Sequence, residues 1–140
     1  MVMNPAQGHG PKVVVRLRNG SVIKGYASRF HAHNAKDLRL VEQETERVRI
    51  IPYKILKAVF FVRDFAGNPS YQDIKAFPMQ DRPGGKESVI RFEDGEELFG
   101  FVQTAHPDRN GFFVFPADAD SNNERIYVVR EAIVEIADSL

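Results

Sequence analysis

At 140 residues the chain has the length of one domain or of two very small ones. Its 19 Lys and Arg balance 19 Asp and Glu, so it has no strong overall positive field with which to hold nucleic acid. With no cysteine, disulfide scaffolds, thiolate zinc sites, iron–sulfur clusters and thiol nucleophiles are excluded.

The first ten residues carry no periodic pattern, no basic region and no apolar run, so residues 1–10 are expected to be disordered and not a secretory signal. No apolar stretch approaches the ~20 residues of a membrane helix, and a cytoplasmic protein is expected. From Lys12 onward the hydrophobic period is two. Val13, Val15 and Leu17 face one way, while Arg16 and Arg18 face the other. Asn19-Gly20 then reads as a two-residue hairpin turn with both residues at positive φ. A second strand follows, interrupted by Gly25, where glycine marks a bend, a bulge or a close backbone approach. Strands are expected over 37–41 and 47–51, then a single 3-10 turn at 52–54 and a last strand over 55–62.

Residues 66–85 read as a linker, with Pro and Gly at its ends and Tyr71, Ile74, Phe77 and Met79 in its middle. After it the pattern repeats. Val14, Arg16, Gly20 and Gly25 match Val89, Arg91, Gly95 and Gly100, with Asp94 standing for Asn19 and Phe101 for Tyr26. The same spacing matches His31 with His106, Leu38 with Phe113 and Leu40 with Phe115. After three inserted residues, Glu46–Ile51 matches Glu124–Val129, and Ile55 matches Ile133. The chain is a duplication: a first unit over 11–65 and a second over 86–140. Five short strands with a turn before the last predict an all-β fold of two tandem, strongly bent five-stranded barrels. Most of the 11 Phe fall on strands and are expected in cores, with Phe112 and Tyr127 on the polar face.

The spacing Asn-Gly-x4-Gly, with Asn110 ten positions and Leu38 or Phe113 thirteen positions after the second glycine, resembles the first motif of Sm-like (SH3-like) barrels. In the first unit the Asn falls one position short, at Asn34, and the motif's acidic position is His31 or His106. The second motif, Ile-Arg-Gly, is replaced by Ile51-Pro52-Tyr53 and Val129-Arg130-Glu131. The second unit is also similar to tail domains of uncharacterised bacterial proteins. The Sm-like resemblance covers both repeats. It implies strand-paired assembly between neighbours and, in many members, single-stranded RNA binding. Carried onto this chain, the pocket residues would be Arg29, His31, Asn34, His106, Asn110 and Arg130.

No catalytic constellation or phosphate loop is present, and no enzyme is expected. His31 and His33 would supply two of the three or four ligands a metal site needs, and the acidic candidates Asp37 and Asp108 are close in sequence but unplaced. Asp118, Asp120 and Asn122 begin like a calcium loop, but its glycine and its last glutamate are missing. No metal or cofactor is therefore expected. Lys and Arg dominate the first unit and Asp and Glu the second, so zero net charge conceals a dipole. That dipole suits head-to-tail attraction within or between chains. The expected function is a non-enzymatic interaction or assembly module acting through self-association or a protein partner. The alternatives are single-stranded RNA binding by an Sm-like ring and a small-ligand sensor. No membrane or DNA partner is expected.

Overall fold

A computed structural model of the chain describes residues 10–27, 30, 35–66, 85–102, 110–118 and 120–138. The N-terminal and linker expectations therefore lie almost entirely outside the described residues. Ten strands form: β1 (Lys12–Leu17), β2 (Val22–Tyr26), β3 (Asp37–Glu42), β4 (Val48–Pro52), β5 (Leu56–Val62), β6 (Lys86–Phe92), β7 (Glu97–Val102), β8 (Gly111–Pro116), β9 (Asn123–Val129) and β10 (Ile133–Asp138). Single 3-10 turns, Tyr53–Ile55 and Arg130–Ala132, precede the last strand of each half.

All ten strands belong to one antiparallel sheet, ordered β10-β6-β7-β8-β9-β5-β1-β2-β3-β4. Each half has the same internal order, so the duplication extends to the fold. Two separate, closed barrels do not form. β5 does not close onto β4 but pairs with β9 of the other half, and among the described residues the sheet ends in β10 and β4, each paired on one side only. The reason lies in β5 itself. Its sequence LKAVFFV is buried on both faces, which a strand achieves only at the interior of a sheet.

The sheet folds around two cores that share the central strands. Val59 and Phe61 of β5 join Tyr127 and Val129 of β9 in a core with Val13, Val15, Leu38, Leu40 and Leu56. The alternate residues, Ala58 of β5 and Ile126 and Val128 of β9, join Ile90, Phe92, Val102 and Val114. Phe112 and Tyr127 are thus core residues, not polar-face ones. The residue count around them is shifted by one loop deletion that the sequence pattern hides.

The registers correct the alignment of the halves. Gly25 pairs with Glu42 as Gly100 pairs with Pro116, so Leu38 corresponds to Phe112 and Leu40 to Val114. Arg39 faces Ile50 as Phe113 faces Tyr127, so Ile50, not Arg49, corresponds to Tyr127. Val15 pairs with Val59 as Ile90 pairs with Ile136, so Leu56, not Ile55, corresponds to Ile133. In both halves the pairing slips where the last strand begins.

The hairpin turns also differ from expectation. Only the glycines reach positive φ, at 93° for Gly20 and 92° for Gly95. Gly20 N–H donates to Leu17 O at 3.0 Å and Leu17 N–H to Ser21 O at 2.9 Å, with the same pair of bonds around Phe92 and Gly95. This is a three-residue loop, a type I turn closed by a glycine bulge. Asn19 and Asp94 each accept a bond from the backbone two residues on, at 2.8 and 2.9 Å. At Gly25 and Gly100 the requirement is close approach. A Cβ on Gly100 would sit 2.4 Å from Val114 and 2.6 Å from the Phe115 carbonyl oxygen. That close contact is where β2 and β7 cross their neighbours.

Candidate interaction surfaces

Among the described residues, exposed chemistry gathers at the seam between the halves, in a cleft beside that seam, and along the outer edges of the sheet. The seam forms where the cations of the first half meet the carboxylates of the β6–β7 hairpin. Arg18 makes a two-pronged contact with Glu93, at 2.8 and 2.9 Å, and lies 3.5 Å from Glu131. Arg16 stands 3.5 Å from Glu96. Lys57, a buried β5 side chain, reaches Asp94 at 2.7 Å, bonds Glu96, and rests over the Phe92 ring at 4.7 Å. The charge dipole of the sequence is therefore spent, in part, inside the chain.

These contacts move proton affinities in the direction of the charged forms. The hydrogen bond from Arg18 holds the Glu93 carboxyl below its ordinary value, and the bond from Lys57 does the same to Asp94. The Arg18–Glu93 pair is partly exposed and each such contact contributes little on its own. Lys57 is the exception, because its charge is taken out of water and must be satisfied where it sits.

The cleft, of about 490 Å³, opens beside the seam at the start of the last strands. Asn110 and Arg130, both singled out in the sequence, line it together. Arg130 N–H donates to Asn110 O at 2.8 Å, and the Asn110 amide donates to Ala35 O of the other half at 2.7 Å. The Arg130 guanidinium also lies 5.4 Å from the Phe112 ring centre. The sequence reading missed Lys36, Tyr53 and Lys54 here. Their signal was the repeat itself: Tyr53 N–H donates to Lys36 O as Arg130 N–H donates to Asn110 O. Arg29, His31, Asn34 and His106 lie outside the described residues.

The β8–β9 loop spends side-chain oxygens on backbone N–H groups, its own and that of Asp64. Asp118 caps Asp120 N–H at 3.0 Å, and Asn122 exchanges bonds with Asp64 at 2.9 and 3.1 Å. Among the described residues no cluster of His, Asp and Glu is arranged to hold a metal ion, and no helix is long and apolar enough to cross a membrane.

The outer edges are the least satisfied surfaces. Of six large hydrophobics left exposed among the described residues, Val48 and Ile50 lie on β4 and Val134 and Ile136 on β10. Among the described residues, no strand pairs with the outer side of either.

By its fold the chain is an all-β protein built on one open, duplicated antiparallel sheet. It belongs to the family of unknown function DUF6982, whose profile matches residues 9–137. No curated protein and no solved structure gives a significant match.

Proposed function

We propose that the chain is a non-enzymatic interaction module whose working surfaces are the two open edges of its sheet. The observation that carries this is the contrast along one sheet. The strands flanked on both sides at the junction are buried on both faces, β5 along its length and β9 from Ile126 to Val129, while β4 and β10 keep β-branched side chains in solvent. Exposed edges of this kind invite strand addition by another chain. The Sm-like resemblance supports the same reading, since it implies assembly by strand pairing. A photo-cross-linking residue at Val48 or at Val134, introduced in cells that express the chain, tests it. Both sites are expected to yield discrete adducts, and the equally exposed Val22, on the interior strand β2, serves as the control. Adducts no stronger than those at Val22 would refute the reading.

The cleft favours a second function, single-stranded RNA binding. Lys36, Lys54 and Arg130 supply three cations against Asp37 and Glu131, and Asn110 stands among them. In this reading, short U-rich or A-rich strands bind with an affinity that falls steeply with salt. Arg130→Ala and Lys54→Ala weaken that binding. Equal, negligible binding to all strands at low salt would remove it.

A further inference from the structure

We infer that the occupant of each open edge is a second copy of this chain, with β10 of one copy adding antiparallel to β4 of the next. This rests on the edge reading above and names its partner. The internal duplication supplies the template. β5 and β10 are the same strand of the repeat, and so are β9 and β4. The pairing of β5 with β9 is thus already one junction of the kind, and the sheet of described strands ends in the counterpart of each side.

The template also fixes the register. Within the chain Val59 stands opposite Tyr127. The counterpart of Val59 is Ile136, because Ile90 faces Ile136 as Val15 faces Val59. The counterpart of Tyr127 is Ile50, because β3 faces Ile50 with Arg39 where β8 faces Tyr127 with Phe113. Ile136 therefore meets Ile50 of the next copy. These two side chains are 48% and 58% exposed in the single chain, and their counterparts inside are fully buried.

Charge sets the polarity. β10 carries Glu135 and no Lys or Arg over Ile133–Asp138, and β4 carries Arg49 and no Asp or Glu over Val48–Pro52. Pairing β4 with β4 would bring arginines together, and pairing β10 with β10 would bring glutamates together, a repulsive cost that the bonds of Arg49 to Glu42 and of Glu135 to Arg91 offset only in part. The seam points the same way. Arg18 and Glu93 are one position of the repeat, and they touch each other across the internal junction. Across the outer junction that position meets itself again as Glu93 against Arg18 of the next copy, so opposite charges alternate along the whole assembly. Such a contact is heterologous and continues, closing into a ring or extending as a filament.

The absence of native cysteine makes the register readable. Directly opposed antiparallel residues have Cα atoms about 4.5–5.5 Å apart, within disulfide range. Ile50→Cys and Ile136→Cys are prepared singly in the full chain, mixed in equal amounts and oxidised. The expected result is a disulfide-linked species of twice the chain mass in the mixture and none with either variant alone. Ala137→Cys, one residue out of register, is expected to give less product with Ile50→Cys. Self-linking of Ile50→Cys or of Ile136→Cys would overturn the polarity in favour of a twofold mate. Absence of linkage in the mixture, with the wild-type chain at 15.9 kDa by light scattering, would overturn the second copy as partner. Edge adducts in the photo-cross-linking experiment would then leave the edge reading standing with a different protein, whereas absence of adducts would remove the edge reading itself.

Discussion

Lys57 and Val134 occupy the same position of the repeat, and their fates are inverted. The lysine, on β5, is 5% exposed, and the valine, on β10, is 62% exposed. Side-chain chemistry alone predicts the reverse. The difference lies in what covers the strand. β5 is flanked by β1 and β9 and faces the acidic β6–β7 hairpin, which supplies Asp94 and Glu96 to a cation that burial would otherwise penalise. β10 has β6 on one side and nothing described on the other. A strand's burial is set here by its place in the sheet and not by the repeat it belongs to.

The sharpest test of that contrast compares two counterparts on the fourth strands. Tyr127 is the largest fully buried side chain and bridges the aromatic cluster of Phe30, Tyr53 and Phe113. Tyr127→Ala is expected to cost about 4 kcal/mol in urea unfolding. Ile50→Ala, at the matching place on β4, is expected to cost less than about 0.5 kcal/mol in dilute chain. A large Ile50 effect that grows with protein concentration would show that the edge is covered in solution.

Next in size is the crossing glycine. Gly100→Ala drives a methyl group into the Phe115 carbonyl oxygen and Val114, and is expected to cost about 3 kcal/mol. Gly95→Ala meets nothing within 4 Å and costs less, through its positive φ alone. Equal costs at the two glycines would mean that β7 and β8 can separate there without loss.

The residues that declare themselves locally were legible in the sequence. Period-two alternation located the strands, and matched Asn19-Gly20 and Asp94-Gly95 turns exposed the duplication and hence ten strands in two equal sets. The 3-10 turn at Arg130–Ala132 followed from the break before the last strand. What stayed hidden was long-range. That β5 joins β9 is a choice between strand edges, and neither the alternation nor the turns that located the strands decide it. The apolar run Ala58–Phe61 was the available signal, since alternation fails there. At the cleft, Asn110 and Arg130 were found through a motif, whereas Lys36 and Lys54 contribute by position in the fold and carry no motif of their own.

The buried lysine ranks below the glycine. Lys57→Ala strips the methylene stem and frees two carboxylates that are themselves about half exposed, so water recovers part of the loss. A cost of about 2 kcal/mol is expected. Lys57→Met keeps the stem over Phe92 and is expected to recover most of it, because a well-packed apolar group can replace a buried ion. If Lys57→Met proved as damaging as Lys57→Ala, the ion pairs and not the packing would hold the halves together.

The smallest expected effect belongs to acid. Asp94 has its proton affinity lowered in the folded chain, first by the bond from Lys57 and then by the backbone N–H of Glu96. A depressed folded value means that this contribution is complete above the ordinary carboxylate range. It is lost as pH falls from that range, about 4, through the lower folded value. Asp94→Asn removes the titration while keeping the turn, since Asn19 serves the same turn in the first half. The wild-type Tm is therefore expected to fall more steeply than that of Asp94→Asn on acidification below about pH 4. Added salt should narrow the difference, because Asp94 is about half exposed. Parallel curves would show that the Asp94 charge adds nothing to the hairpin's grip on Lys57 in solution, leaving that contact to Glu96 and the Phe92 ring.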